Sequence, residues 1–118
     1  MRKEIESRLI KLSAAINLLA KELNKSTFAQ TIESQMIRAS ASAALNYGEA
    51  QGAESKKDFV HKTSVVLKEL RETGICLRLL SEANAFKNNS QLVSILDECD
   101  QLTAIFQKTV NTARMNSQ

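Results

Sequence analysis

Asp58, His61 and Ser64 stand at steps of three in the run Asp58-Phe59-Val60-His61-Lys62-Thr63-Ser64, and they are the residue types of an acyl-transfer triad. That chemistry needs nucleophile, base and orienting carboxylate to converge beside oxyanion donors. On one continuous helix the three side chains point outward side by side, so the spacing predicts no catalysis, and the chain reads as a non-enzyme. His61 is the only histidine, whereas a di-iron bundle needs Glu-x-x-His on two helices. Cys76 and Cys99, 23 residues apart, match no metal or redox spacing. Both fall on apolar stretches and read as reduced core residues. Glycine-rich phosphate loops, CxxC and HExxH do not occur. Neither a metal, a cofactor nor a small-molecule substrate is expected.

Two further constellations carry charge or polarity instead of catalysis. Gln35, Arg38, Ser42, Asn46 and Glu49 recur at steps of three and four among alanines and serines, a spacing that stacks them on one face of a helix. If the chain turns back near residues 52–53, antiparallel packing sets Arg38 opposite Glu69 and Gln35 near Glu72. Ala39, Ala41, Ala43 and Ala44 would meet Gly74 across a close helix pair. Such a ladder reads either as a register-setting polar network or as a polar groove or subunit contact. Lys57, His61, Ser64, Lys68, Arg71 and Arg78 form a second helical stripe. It reads either as a solvated face or as a surface that tracks nucleic-acid phosphates. No base-stacking aromatics are interleaved with it, so contact with RNA or DNA would be independent of sequence.

The elements that position these residues follow from an unusual composition. The 118 residues include no proline and three glycines; 43% are hydrophobic, 4% aromatic and 25% charged, with a net charge of +3. Few breakers and few aromatics favour long helices, and the length fits one domain spanning residues 1–118. Charged residues scattered through the first twelve positions exclude the pattern of a signal peptide, and no apolar run approaches the roughly 20 residues of a membrane span. The default address is the cytoplasm, without membrane contact. Basic residues outnumber acidic ones six to three in residues 1–25 and seven to four in residues 56–87, which places positive charge on the first and third helices.

Four helices are predicted, over residues 2–24, 27–51, 55–84 and 89–114. The first seam is Ile5, Leu9, Leu12, Ile16, Leu19 and Leu23; the second is Phe28, Ile32, Met36, Ala39, Ala43 and Tyr47. The third runs Phe59, Thr63, Val66, Leu70, Thr73 or Gly74, Leu77 and Leu80, and the fourth Leu92, Ile95, Cys99, Leu102, Phe106, Val110 and Ala113. Gly52 is expected to end the second helix in a left-handed conformation. Ser55 with Asp58 forms a capping box, Asn88 with Gln91 is expected to cap the fourth helix, and Met115 to Gln118 to fray. Four similar helices with short connections make an all-α, antiparallel up-down-up-down bundle. Ile10, Leu18, Ile37, Leu45, Val65, Ile75, Leu79, Leu96 and Ile105 lie beside or outside the seams. Some widen the core stripe; the rest predict an apolar face that meets another copy, hence a homo-oligomer. A protein-interaction adaptor without any nucleic-acid role is the alternative.

One family resemblance adds to this reading. Gln35, Arg38, Ala39, Ser42, Asn46 and Glu49, then Lys57-Asp58-Phe59 and Glu72, resemble the pattern of four-helix-bundle proteins encoded in intervening sequences of bacterial 23S rRNA genes, also described as ribosomal-protein-like. Ala50 stands where that family carries glycine, and Lys68-Glu69 replaces a glycine–serine pair. The resemblance implies a bacterial, non-enzymatic homopentamer of unsettled role whose polar ladder belongs to the fold. Related accessory proteins of diversity-generating retroelements imply a nucleic acid, or a nucleic-acid enzyme such as a reverse transcriptase, as partner.

Overall fold

A computed structural model of the chain describes residues 2–116, which form four helices: α1 (Arg2–Ala20), α2 (Thr27–Gln51), α3 (Lys56–Glu82) and α4 (Leu92–Asn116). Cross-helix contacts set their directions. Arg38 and Glu49 of α2 meet Glu69 and Lys62 of α3, while Arg71 and Arg78 of α3 meet Gln107 and Asp100 of α4. In each pair one number rises as the other falls, so neighbours are antiparallel. Packing runs α1 to α2, α2 to α3, α3 to α4 and α4 back to α1. The four helices therefore stand at the corners of a square, with α1 diagonal to α3. The bundle is elongated, 47 × 24 × 19 Å.

The core follows the apolar seams. Leu9, Leu12, Ile16, Leu19 and Leu23 are buried from the first; Met36, Ala39, Ala43 and Tyr47 from the second. The remaining two seams bury Thr63, Val66, Leu70, Thr73, Gly74, Leu77 and Leu80, and Leu92, Ile95, Cys99, Leu102, Phe106 and Val110. Tyr47 and Phe106 reach across the diagonal and meet edge to face, with ring centroids 5.3 Å apart, a favoured aromatic geometry. Thr63 and Thr73 satisfy their buried hydroxyls by donating to the carbonyls of Phe59 and Glu69, each at 2.8 Å. Cys76 and Cys99 are buried free thiols. Phe28 departs from the predicted seam: it is 45% exposed, and Ala29 is buried in its place. A small residue there lets α2 lie close to its neighbours, which leaves no room for a ring.

The turns correct several expectations. α1 stops at Ala20 because the next residues pair with the α3–α4 loop. Asn24 N donates to Ala85 O at 2.8 Å and Lys87 N to Glu22 O at 2.7 Å, making a one-residue antiparallel bridge between Leu23 and Phe86. Gly52 ends α2 at φ −102°, so it is not left-handed. The left-handed cap is Asn84, at φ 52°, after α3. Ala85 N donates to Leu80 O and Asn84 N to Ser81 O, both at 3.0 Å, a Schellman closure that buries Ala85. Ser55 Oγ accepts from Asp58 N at 3.0 Å as the capping box requires, while the Asp58 carboxylate reaches Glu54 N at 3.4 Å. Asn88 does not cap α4. Its side chain accepts from Ser90 N at 2.9 Å, and α4 starts at Leu92, not 89. Met115 and Asn116 are helical, contrary to the expected fraying, and Ser117 and Gln118 lie outside the described residues.

Candidate nucleic-acid interface

Lys57, His61, Lys68, Arg71 and Arg78 are all exposed along α3, as the stripe predicts, yet α4 makes them unequal. Arg78 forms an ion pair with Asp100 at 2.8 Å, so its charge is compensated within the fold. Arg71 instead donates to the neutral amide oxygen of Gln107 and keeps its full charge. Lys57 and Lys68 make no ion pair among the described residues. Arg114 of α4 comes alongside, its Nη2 3.5 Å from Ser64 Oγ. No local pattern points to Arg114, because its approach depends on how α4 registers against α3. Lys62, one residue past His61, is drawn away to Glu49 at 2.6 Å, which raises its pKa.

Asp58, His61 and Ser64 do not converge. Asp58 faces the helix start, Ser64 meets Arg114, and no hydrogen bond joins any two of the three among the described residues. Nothing about their arrangement supports proton transfer between them.

The polar ladder closes mostly on α3. Arg38 Nη1 donates to Glu69 Oε2 at 3.0 Å and Nη2 to Glu72 Oε2. One guanidinium thus straddles two carboxylates. Glu72 first, then Glu69, lifts the Arg38 pKa above its ordinary value. Glu69 is itself buried, and a buried carboxylate needs such a partner. Asn46 Nδ2 donates to the carbonyl and hydroxyl of Ser42, at 2.9 and 3.1 Å. Gln35 does not join: it is exposed, and the guanidinium already occupies Glu72. Gly74 does not face the α2 alanines either. A Cβ there would meet Cys99 Sγ of α4 at 3.7 Å.

The square also separates the two basic helices. The first and third helices hold the basic excess, but they are diagonal and share no face. Their starts share one end, where Arg2, Gln51, Lys56 and Asn116 line a common hollow. Lys57 and His61 follow on the first turns of α3, and Lys68 and Arg71 lie farther along it.

The fold recurs in a solved structure from Bacteroides thetaiotaomicron, a protein of unknown function from the S23 ribosomal protein family. The TM-score is 0.81 at 24% identity, over 94% of this chain and 99% of that one. At that identity the likeness speaks for the architecture alone. No functionally curated protein matches the chain. The family model for 23S rRNA-intervening sequence protein matches residues 3–108, nearly the full bundle and all of the ladder and stripe. The chain belongs to the family of 23S rRNA-intervening sequence proteins.

Proposed function

We propose that this protein is a non-catalytic, self-associating scaffold of the cytoplasm whose α3 face contacts nucleic-acid backbone without reading sequence. The observation that carries the reading is the run Lys57, Lys68 and Arg71: exposed on one helix and, among the described residues, without acidic partners. Cations so placed bind phosphates by releasing condensed counterions. Without exposed stacking rings beside them, they discriminate little between sequences. Self-association is supported by Ile10, Leu18, Leu45, Ile75 and Leu79, which remain exposed on the outside of a closed core. A ring of five is the state that the family resemblance implies. Copies in one assembly would multiply a field that is weak for a protomer of +3.

The test is fluorescence anisotropy with two unrelated duplexes across a salt series. Three neutralised phosphates per protomer give a slope of log affinity against log salt of about −2.7, alike for both duplexes. Binding that ignores salt, or no binding at low salt, rejects the reading. A second reading, an adaptor for a protein partner, is favoured by Ile75 and Leu79, one turn apart on the same helix and exposed. Capture of the partner that survives nuclease treatment would select it.

A further inference from the structure

We infer that the hollow between α3 and α4 beside Gly74 holds one unpaired guanine of a bound nucleic-acid strand. This rests on the phosphate-contact reading and adds a base site at the far end of that contact.

The hollow encloses about 310 Å³, at the small end for ligand sites, which suits a single base. Buried Leu70 and Gly74 lie at its bottom, and exposed Ile75 stands at its edge. Gly74 is what opens it. A Cβ there would stand 3.2 Å from Arg78 Nη1 and 3.7 Å from Cys99 Sγ. A glycine inside a helix weakens it, and its use is close approach to the backbone. Here the missing side chain lets a flat group come down between the helices. The faces of an unstacked base are covered by ring or guanidinium planes and apolar surface. Arg71, Arg78 and Ile75 supply the last two.

The edges of the hollow decide which base. Asp100 Oδ1 accepts from Arg78 at 2.8 Å, whereas Oδ2 receives no hydrogen bond among the described residues. Thr103 Oγ1, one turn on, donates its hydrogen to Cys99 O at 2.7 Å and so offers the hollow lone pairs only. The α4 wall therefore presents acceptors. The α3 wall presents donors, because Arg71 and Arg78 have N–H groups beyond those given to Gln107 and Asp100. Guanine matches this division, with N1–H and N2–H₂ side by side on one edge and O6 and N7 on the other. Adenine and cytosine set an acceptor next to their amino group, and thymine and uracil flank one N–H with two carbonyls. Each of these turns a lone pair toward Asp100. In a duplex, cytosine already occupies guanine's donors, so the site selects an unpaired strand.

The neighbouring cations favour a guanine carried on a strand over a free nucleotide. Lys57 and Lys68 share the outward face of α3 with Arg71, and Lys57 lies about 21 Å from Arg71 along the helix. Successive phosphates of a strand span that length; a lone nucleotide leaves Lys57 unused.

Fluorescence anisotropy of the full chain at low salt compares an all-thymine strand with the same strand carrying one central guanine. The guanine strand is expected to bind tighter by about tenfold, as a two-point base contact gives. Annealing a complement to each is expected to abolish the difference. Asp100→Asn and Thr103→Val are each expected to cut the ratio several-fold, and taking a ratio cancels the charge that Asp100→Asn adds. Lys57→Glu is expected to weaken both strands alike and keep the ratio. Circular dichroism checks folding; if Asp100→Asn unfolds the chain, Thr103→Val decides. Equal binding of the two strands, or a preference that the folded variants keep, overturns the base site, while salt-dependent binding upholds phosphate contact. Guanosine monophosphate competing as well as the guanine strand overturns the strand as occupant. Absence of binding to either strand at low salt overturns the phosphate-contact reading itself.

Discussion

α2 and α3 share the most extensive packing in the bundle, and their inner faces are built alike from small and branched apolar residues. Their outer faces differ in how charge is paired. On α2, Arg38 and Glu49 share the face of Leu45 and stay more than half exposed, but both are paired, with Glu69, Glu72 and Lys62 of α3. On α3, Lys57, Lys68 and Arg71 make no ion pair among the described residues. Cross-helix pairing thus compensates the charge on one face and leaves it uncompensated on the other. Whether a charged residue acts on the surroundings depends on its neighbour across the seam.

The contrast between inner and outer faces gives the largest expected effect. Leu70→Ala, inside α3, should cost about 2–5 kcal/mol, as buried leucines do. Leu45→Ala, on the outer strip, should stay within about 0.5 kcal/mol in an unassembled background. Urea titration measures both, and equal losses would break the description of α2's outer face.

Cys99 props the inner wall of α3, its thiol donating to Leu70 O at 3.4 Å. Burial pushes its pKa from 9.0 up to about 11. The folded state therefore holds this proton where the unfolded chain has lost it. Stability should be insensitive to this group below about pH 9, then fall by roughly 2–3 kcal/mol on the way to pH 11. Cys99→Ala should flatten that part of a pH series of urea midpoints; an unchanged slope would assign it to other groups.

On the outer face of α3, Arg71→Glu and Arg78→Glu separate a free charge from a compensated one. The first should reduce the salt slope of duplex binding by about 1. The second removes a charge that Asp100 already balances, so it should change the slope far less. Equal effects would show that the Arg78–Asp100 pair opens on binding.

The smallest effect compares two glycines. Gly74→Ala on α3 brings a Cβ within 3.2 Å of the mobile end of Arg78 and into ordinary contact with Cys99. Gly48→Ala on α2 meets nothing. Each should raise the stability of an unassembled background by about 0.5–1 kcal/mol through helix propensity, with Gly74→Ala gaining less. A loss at Gly74 would mean that the Arg78 guanidinium, held by Asp100, cannot yield by a few tenths of an ångström.

Much of this was legible along the chain because it depends on spacing alone. Seam residues such as Leu12, Ile16, Leu70 and Phe106 recur with helical period, and a period of that kind must bury one side. Ser55 and Asp58 announce a helix start because capping is local. Arg38 opposite Glu69 could be deduced from the turn position. The misses fall where one residue had to be weighed against a distant one. Gly52 is the residue type expected for a left-handed cap, but Asn84 has that role, because Ala85 must turn inward and reach Leu80. α1 is shorter than its apolar pattern because Glu22 and Asn24 bond to the α3–α4 loop. Gln35 lost Glu72 to an arginine with a longer reach. Arg114 entered the candidate interface without any local signal.

Periodicity, low breaker content and cap chemistry determined on their own that there are four amphipathic helices, roughly where each begins, and which residues fill the core. These are properties of neighbours within a turn or two, and short-range sterics and burial suffice to decide them. Only the tertiary arrangement decided that the two basic helices are diagonal and that Arg78 is compensated while Arg71 is not. It alone opened the groove between α1 and α4. Those outcomes depend on register and on which corner each helix occupies, and a side chain's charge or surface has its effect only relative to what lies across the seam.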